Sequence, residues 1–197
     1  MKFDYIANVL ASGKDDIATR APLHTQKILR DRIFEKVLSS FNKRPVNVFQ
    51  VGAIESLDVK FRIGSGWSDL IFGSYIKKYG GNIVVVDIDL DHVAHSFLVA
   101  NSLGYPFDGR LGDAIDHITE GFDIYYLDGA DIPVGNEQTM QQFMKIKDTN
   151  SVVLIDDAPT KGAFLREYLD ENDIKFDYYE DAGNGMMVID LRGTDKK

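Results

Sequence analysis

Residues 46–69, VNVFQVGAIESLDVKFRIGSGWSD, decide the fold. The first six of them, Val46–Val51, have the pattern of a short buried strand, which ends at Gly52. A polar insertion follows, and the chain then passes through Gly64-Ser65-Gly66 into a helical pattern. Glycines let a backbone approach a ligand closely, and the amides at the start of the next helix favour negative charge. A strand, a glycine-rich turn and a helix in this order predict a nucleotide-binding loop.

A carboxylate follows at the distance that such a loop requires. The next predicted strand, residues 82–87, ends in Asp87, which lies 21 residues beyond Gly66. At this separation an acidic side chain can accept the hydroxyl protons of a ribose. Asp89 is the other candidate for this contact, and Asp87 is favoured because it lies where the strand should end. The pattern therefore predicts that the ligand is a nucleoside.

The composition is that of one globular domain. With 197 residues, 44% of them hydrophobic and 11% aromatic, the chain can bury one core of normal density. We therefore expect a single domain over residues 1–197, with an N-terminal helical segment at 1–44 and a ligand-binding core at 45–192. No run of eighteen apolar residues is present for a membrane span, and the first residues carry acids where a signal peptide is apolar. We expect a cytoplasmic protein with no membrane partner.

The charge and the lack of cysteine exclude several classes of protein. The chain has no cysteine, which rules out disulfides, thiolate metal sites and cysteine nucleophiles. It has 22 basic and 31 acidic residues, so its formal net charge is -9. Such a surface repels phosphate backbones at long range, and we therefore expect no nucleic-acid partner.

Strand and helix patterns alternate along the chain. The predicted strands cover residues 46–51, 82–87, 105–111, 122–127, 151–155, 174–179 and 186–191. The predicted helices cover residues 3–10, 22–41, 70–79, 91–103, 137–147 and 163–169. The helix at 22–41 is interpreted as a packing helix rather than a substrate lid. The alternation requires a parallel sheet with right-handed crossovers.

The end of the chain departs from this alternation. About six residues, rich in glycine and asparagine, separate the last two predicted strands, whereas a parallel crossover needs a dozen or more. The last strand should therefore run antiparallel. The predicted fold class is α/β: a Rossmann-like three-layer sandwich with a mostly parallel seven-stranded sheet and an antiparallel C-terminal strand.

Five short motifs occur in order between residues 46 and 191: VFQVG with the later GSGWS, then IVVVDID, LGDA, YYLDG and VVLIDD. In this order, and followed by a C-terminal hairpin, they resemble the motifs of class I S-adenosylmethionine (SAM)-dependent methyltransferases. The resemblance implies SAM as the cofactor. The cofactor-binding residues that it implies are Gly52, Ala53, Ser65, Gly66, Asp87, Asp89, Asp113 and Ala114.

The resemblance also implies a role for each part of this set. The residues of the glycine loop would line the methionine part of SAM, Asp87 would hold the ribose and Asp113 would contact the adenine amine. The insertion IESLDVKFRI separates Gly52 from Gly64 and departs from the compact first motif of the family. Which glycine approaches the cofactor is therefore left open, and an ordinary turn is the alternative for Gly64 and Gly66.

A second group of acids lies at the ends of two later strands. Asp128 follows the predicted strand at 122–127, and Asp156 and Asp157 follow the one at 151–155. Neighbouring strands are about 5 Å apart, so these carboxylates should meet in the crevice where such sheets bind ligands. Without a cation their repulsion would raise at least one pKa, and oxygen ligands without sulfur suit Mg2+, Mn2+ or Ca2+. The alternative is structural: Asp128 closes a turn, and one of the other two caps the next helix.

The three acids resemble the metal ligands of small-molecule O-methyltransferases of the macrolide-sugar and catechol types. The resemblance implies a divalent metal that positions an oxygen of a small hydroxylated molecule for methylation. The candidate catalytic residues, among which the general base is left open, are Asp128, Asp131 and Lys161. Three histidines are interpreted as packing or solvated residues: His92, His95 and His117. Many related enzymes pair through N-terminal helices, so a homodimer is a further expectation.

Two other classes of function stay open. One is a methyltransferase-like protein that binds the cofactor, or has lost it, and acts as a regulator. The other is a nicotinamide-dependent oxidoreductase, which the lack of a tight G-x-G-x-x-G and the final hairpin disfavour. Base methylation is disfavoured as well, because the loop DGADIPVG lacks the motif of amine-methylating enzymes and no cysteine can attack cytosine.

Overall fold

The computed structural model describes residues 21–57, 68–129, 134–180 and 185–193. Its helices are α1 (Ala21–Ser39), α2 (Ser68–Tyr79), α3 (Leu90–Leu103), α4 (Ala114–His117), α5 (Gly135–Ile146), α6 (Ala158–Lys161) and α7 (Ala163–Glu171). Its strands are β1 (Val46–Val51), β2 (Gly81–Asp87), β3 (Phe107–Leu111), β4 (Ile124–Leu127), β5 (Val152–Asp156), β6 (Asp177–Tyr179) and β7 (Met186–Asp190). The helix predicted at residues 3–10 lies outside the described residues, as do Ser65, Gly66 and Asp131. Within the described part, no helix is long and apolar enough to cross a bilayer.

The seven strands form one sheet in the order β3-β2-β1-β4-β5-β7-β6. β1 pairs in parallel with β2 and with β4, while β3 and β5 extend the parallel part on either side. β7 lies antiparallel between β5 and β6, because the short connection from β6 can only turn the chain back on itself. The predicted α/β class, the mostly parallel sheet and the antiparallel last strand are therefore confirmed.

Three elements differ from their predicted form. β3 begins at Phe107 rather than at residue 105, because Gly104 ends α3 in the left-handed conformation and Tyr105 is buried against α2. Its ring leaves no space for a side chain at Gly73, where a Cβ would lie 2.5 Å from the ring. β6 has only three residues instead of the six predicted. The four-residue helix α6 was not predicted, and it carries Lys161 into the site described below.

An apolar layer covers each face of the sheet. On one face α1, α2 and α3 pack around Phe34, whose ring centroid lies 5.3 Å from that of Phe72 and 5.5 Å from that of Tyr126. On the other face α5 and α7 pack through buried residues such as Phe143 and Leu165. Strand pleating sends successive residues to opposite layers. The three-layer sandwich is therefore confirmed, and α1 is a packing helix as predicted.

Candidate active site

The strand order places the candidate site at one edge of the sheet. The chain passes from β1 to β2 on one side and from β4 to β5 on the other, so the strand order reverses between β1 and β4. In open α/β sheets the crevice outside the carboxyl ends of the strands at such a switch point is where ligands bind. The residues that follow β1, β2, β4 and β5 meet at this edge. The predicted convergence of Gly52, Asp87 and Asp128 is thus a consequence of the topology.

Gly52 is required by the backbone itself. Its φ is +89°, in the region that favours glycine, and a Cβ there would lie 2.3 Å from the backbone oxygen of Asp128. The amide of Gly52 donates to the carbonyl of Val86, at a distance of 2.9 Å. Gly52 therefore brings the turns after β1 and β4 into contact. The later glycine pair lies outside the described residues.

Asp87 is held rigidly at the end of β2. Its Oδ2 accepts a hydrogen bond from the amide of Ala53 at 2.8 Å, and its Oδ1 accepts one from the amide of Asp89 at 2.9 Å. Each carboxylate oxygen keeps lone-pair capacity for a further donor. The Asp89 side chain instead caps α3 by accepting from the amide of Asp91 at 2.8 Å. These contacts favour Asp87 over Asp89 as a ribose ligand.

Two apolar side chains beside Asp87 were not predicted as functional residues. Ile88, which directly follows Asp87, is 78% exposed, and Leu111, whose register partner is Asp87, is 51% exposed. Exposed apolar groups at adjacent strand ends can pack against the face of a base. An isoleucine between two acids at the end of a buried strand is the sequence signal that could have drawn attention to Ile88. Asp113 caps α4 through the amide of Ile115 at 2.9 Å, and Ala114 is buried.

The acids after β4 and β5 are paired with side-chain cations. Lys161 Nζ lies 2.8 Å from Asp128 Oδ1 and 3.3 Å from Asp157 Oδ2, and the lysine side chain is only 5% exposed. Asp157 occupies the position before α6, but its side chain makes no capping hydrogen bond. The predicted proximity of Asp128 and Asp157 is therefore correct, and Lys161, a predicted catalytic candidate, lies in contact with both. The helix-capping alternative for Asp157 is wrong for its side chain.

Asp156 is engaged by Arg30 and by Tyr126, whose hydroxyl also lies 3.4 Å from Asp128 Oδ2. Arg30, from α1, forms an ion pair with the Asp156 carboxylate and donates to the hydroxyl of Tyr126. Tyr126 in turn donates to Asp156 Oδ2 at 2.6 Å. Burial raises the pKa of Asp156 to about 6, and the Arg30 charge opposes that rise. Asp156 is therefore a buried carboxylate held by an arginine and a tyrosine.

Neither of these two partners was selected from the sequence, although each left a signal. Arg30 precedes Phe34 by four residues and therefore lies on the buried stripe of α1, where an arginine is unusual. Tyr126 precedes Asp128 by two residues on β4, so both side chains point to the same face of the strand. The first spacing marks Arg30 as a buried cation, and the second places Tyr126 beside the acidic end of β4.

The donor set does not fit the predicted metal site. A divalent cation needs several oxygens that converge on one point at about 2.0–2.6 Å. Here Asp128 Oδ1 and Asp157 Oδ2 contact Lys161, and Asp128 Oδ2 lies 3.4 Å from the Tyr126 hydroxyl. Asp156 Oδ2 is engaged by Arg30 and Tyr126. Within the described residues no group of three acidic or histidine side chains is arranged to hold a metal ion. The prediction of Mg2+, Mn2+ or Ca2+ at these acids is therefore not supported.

The three histidines make local contacts. His92 lies with Nδ1 3.5 Å from Asp87 Oδ2, His95 Nδ1 is 3.2 Å from the carbonyl oxygen of Ile54, and His117 Nε2 is 3.3 Å from that of Leu111. His95 and His117 therefore help to hold loops at the edge of the sheet. Their interpretation as packing residues agrees with this geometry.

Asp69 is a second buried carboxylate near the loop after β1. It lies in the first turn of α2, is fully buried, and among the described residues neither of its oxygens has a hydrogen bond of normal geometry. Burial raises the pKa of Asp69 to about 7, although the nearby Ser96 hydroxyl favours the ionised form. Ser96 itself accepts from the amide of Ile54 at 3.0 Å. Asp69 therefore lies beside the start of the insertion.

Asp69→Asn should stabilise the protein near neutral pH by about 1–3 kcal/mol, because it removes a buried charge. The pKa of Asp69 is about 7 in the folded protein and lower when unfolded, so the folded state binds more protons between the two values. Stability should therefore fall as pH rises towards 7, and the gain from the substitution should shrink at about pH 5. Urea unfolding at both pH values measures this. Asp91→Asn, at the exposed first turn of α3, is the control. An equal gain at both pH values would contradict the prediction.

The fold is shared with solved methyltransferase structures. One is the methyltransferase PaMTH1 from Podospora anserina, solved with S-adenosylhomocysteine (SAH) bound. It is 13% identical in sequence to this chain, with a TM-score of 0.61, and the match covers 95% of this chain and 88% of that one. A methyltransferase from Geobacter sulfurreducens is 17% identical with a TM-score of 0.51 over 92% and 87% of the two chains. The branched-chain polyamine synthase from Thermus thermophilus, solved with 5'-methylthioadenosine, is 14% identical with a TM-score of 0.50 over 80% and 54%. Comparisons of the sequence with protein-family models and with curated proteins found no match.

Proposed function

We propose that this chain, which has the fold of class I SAM-dependent methyltransferases, binds SAM at the carboxyl edge of its sheet and transfers the methyl group to an oxygen of a small hydroxylated molecule. The observation that carries the proposal is the Asp87 carboxylate, which two backbone amides hold at the end of β2 beside the exposed Ile88 and Leu111. A fixed acceptor for ribose hydroxyls next to an apolar surface for a base suits an adenosine group. The fold alone does not decide what is transferred.

Different residues are proposed to bind the cofactor and the acceptor. When bound, SAM supplies a methyl group on a positively charged sulfur. Asp87 accepts the ribose hydroxyl protons, while Ile88 and Leu111 cover the base. Holding two reactants in line can by itself lower a barrier by about 7–11 kcal/mol, so this positioning is the main contribution of the protein.

The acceptor side is the group of acids after β4 and β5. Asp128 and Asp157 are the partly exposed members, at 16% and 24% of the side chain, and both contact Lys161. A carboxylate here can accept the proton of an acceptor hydroxyl, and the ammonium can stabilise the resulting oxyanion. Asp128 is therefore our proposed base. Asp131, the third predicted catalytic residue, lies outside the described residues. The predicted small-molecule acceptor, homodimer and cytoplasmic location remain proposals.

Isothermal titration with S-adenosylhomocysteine (SAH) tests the cofactor. We expect saturable binding in the micromolar range, and no heat at about millimolar SAH would contradict the proposal. NADH is titrated in parallel, because binding of NADH and not of SAH would favour the oxidoreductase alternative. A protein that binds SAH but methylates no hydroxylated compound from a panel would favour the regulatory alternative.

A further inference from the structure

We infer that Lys161 holds the position among the site acids that the sequence pattern assigns to a divalent cation, so that the acceptor side of the site works without a metal. The inference rests on the proposed function for its link to an acceptor. The claim that a lysine occupies the position of a metal ion can be tested on this chain without any acceptor. It follows from how the charges at the ends of β4 and β5 are compensated.

The geometry of Lys161 is that of a bridging cation. Its ammonium lies 2.8 Å from Asp128, which follows β4, and 3.3 Å from Asp157, which follows β5. It thus links the ends of two neighbouring strands, which is where a metal ion would link them. Lys161 reaches this position because α6 is a single turn that places it four residues after Asp157.

The charges at this edge are nearly balanced without a metal. Within the part of the chain that the structure describes, Asp128, Asp156 and Asp157 contact two cations, Lys161 and Arg30. The Lys161 side chain is only 5% exposed, and burying its charge costs free energy. The two carboxylates at contact distance compensate for that cost. A dication bound by the same oxygens would lie in contact with the ammonium, and their repulsion would expel one of them. Lysine and metal are therefore alternatives at this position.

The third acid is occupied elsewhere. Asp156 is 3% exposed and is engaged by Arg30 and Tyr126, which approach from α1 and β4. Metal ligation by Asp156 would require the loss of the buried arginine ion pair. Arg30 thus keeps Asp156 from joining the other two acids, and among the described residues Lys161 is the cation in contact with the partly exposed Asp128 and Asp157.

Thermal unfolding in the presence of divalent cations tests the inference. The melting temperature of the full chain is measured with Mg2+, Mn2+ or Ca2+ at millimolar concentration, and with EDTA, for the wild type, Lys161→Met and Lys147→Met. Lys147 forms an ion pair with the neighbouring Asp148 on the surface and is the matched control. We expect no saturable shift for the wild type or the control. Lys161→Met should melt at a lower temperature and should recover part of the loss as the cation saturates the vacated carboxylates.

Either of two results would overturn the inference. A saturable shift in the wild type that Asp128→Asn removes would show that a metal binds with Lys161 present. The lack of any shift in Lys161→Met would show that the two acids do not form a cation position. If Lys161→Met does not fold, Lys161→Gln takes its place, and Mn2+ binding to the wild type is measured by electron paramagnetic resonance. SAH titration is separate: its failure would remove the proposed function and leave the cation result unchanged.

Discussion

Arg30→Met should lower the free energy of unfolding by about 3–5 kcal/mol, the cost of leaving a buried carboxylate without its partner. Asp156 is buried, and its charge is compensated by Arg30 together with the Tyr126 hydroxyl. Without the arginine, the Tyr126 hydrogen bond is the contact among the described residues that would still stabilise the ionised form. Arg32→Met, two residues later on the exposed side of α1, should change the stability by less than about 0.5 kcal/mol.

The loss of stability caused by Arg30→Met should be larger at high pH than at low pH. The pKa of Asp156 is about 6 in the folded protein, above its ordinary value, so the folded state binds more protons than the unfolded state at mildly acidic pH. The contribution of Asp156 to stability therefore falls as pH rises towards 6 and is level above it. Removal of Arg30 raises the pKa of Asp156 further and extends the fall to higher pH. The difference between variant and wild type should consequently be larger at about pH 8 than at about pH 5.

Urea unfolding of both proteins at the two pH values measures this difference. The double variant Arg30→Met with Asp156→Asn should recover part of the stability, because no buried charge is left unpaired. If Arg30→Met were no more harmful than Arg32→Met, or if its effect did not vary with pH, the ion pair would not be a determinant of stability.

Asp87→Ala should weaken SAH binding by about 100-fold or more. Two charge-assisted hydrogen bonds to ribose hydroxyls are worth about 3 kcal/mol or more together, and each 1.4 kcal/mol is about tenfold in affinity. The substitution also frees the amides of Ala53 and Asp89, so the loop after β1 would lose its anchor. Both effects act in the same direction on cofactor affinity.

Asp108→Ala is the matched control for this experiment. Asp108 is an acid on the neighbouring strand β3, where it pairs with Arg110 at the surface. Its removal should leave SAH affinity within about threefold of the wild type. Circular dichroism shows whether each variant is folded. A folded Asp87→Ala protein that binds SAH as tightly as the control would remove Asp87 from the cofactor site.

Much of the fold could be predicted from local patterns. Val46–Val51 is the observed β1, and the observed carboxyl ends of β2, β4 and β5 differ from the predicted ones by at most one residue. These strands are recognised because they are buried on both faces and so read as continuous apolar runs. The length of β6 was predicted wrongly and α6 was missed. These elements have only three and four residues, which is too short to establish a period.

The candidate site could be predicted only in part. Asp87, Asp128, Asp156, Asp157 and Lys161 were identified because each lies at or shortly after a strand end, which the sequence displays. Which cation pairs with which of these acids could not be inferred from the sequence in the same way. Arg30 reaches Asp156 across 126 positions of sequence, and no local rule connects them.

Local sequence patterns account for the order of strands and helices along the chain, the reversal of the last strand and the edge of the sheet where the acids gather. These features depend on apolar periodicity and loop length, which are local properties of the chain. The cations that compensate the acids, in contrast, depend on how distant parts of the chain pack together. Whether a carboxylate binds a metal or an ammonium depends on which side chains other elements bring within about 3 Å, and that distance is set by the packing of α1 and α6 against β4 and β5.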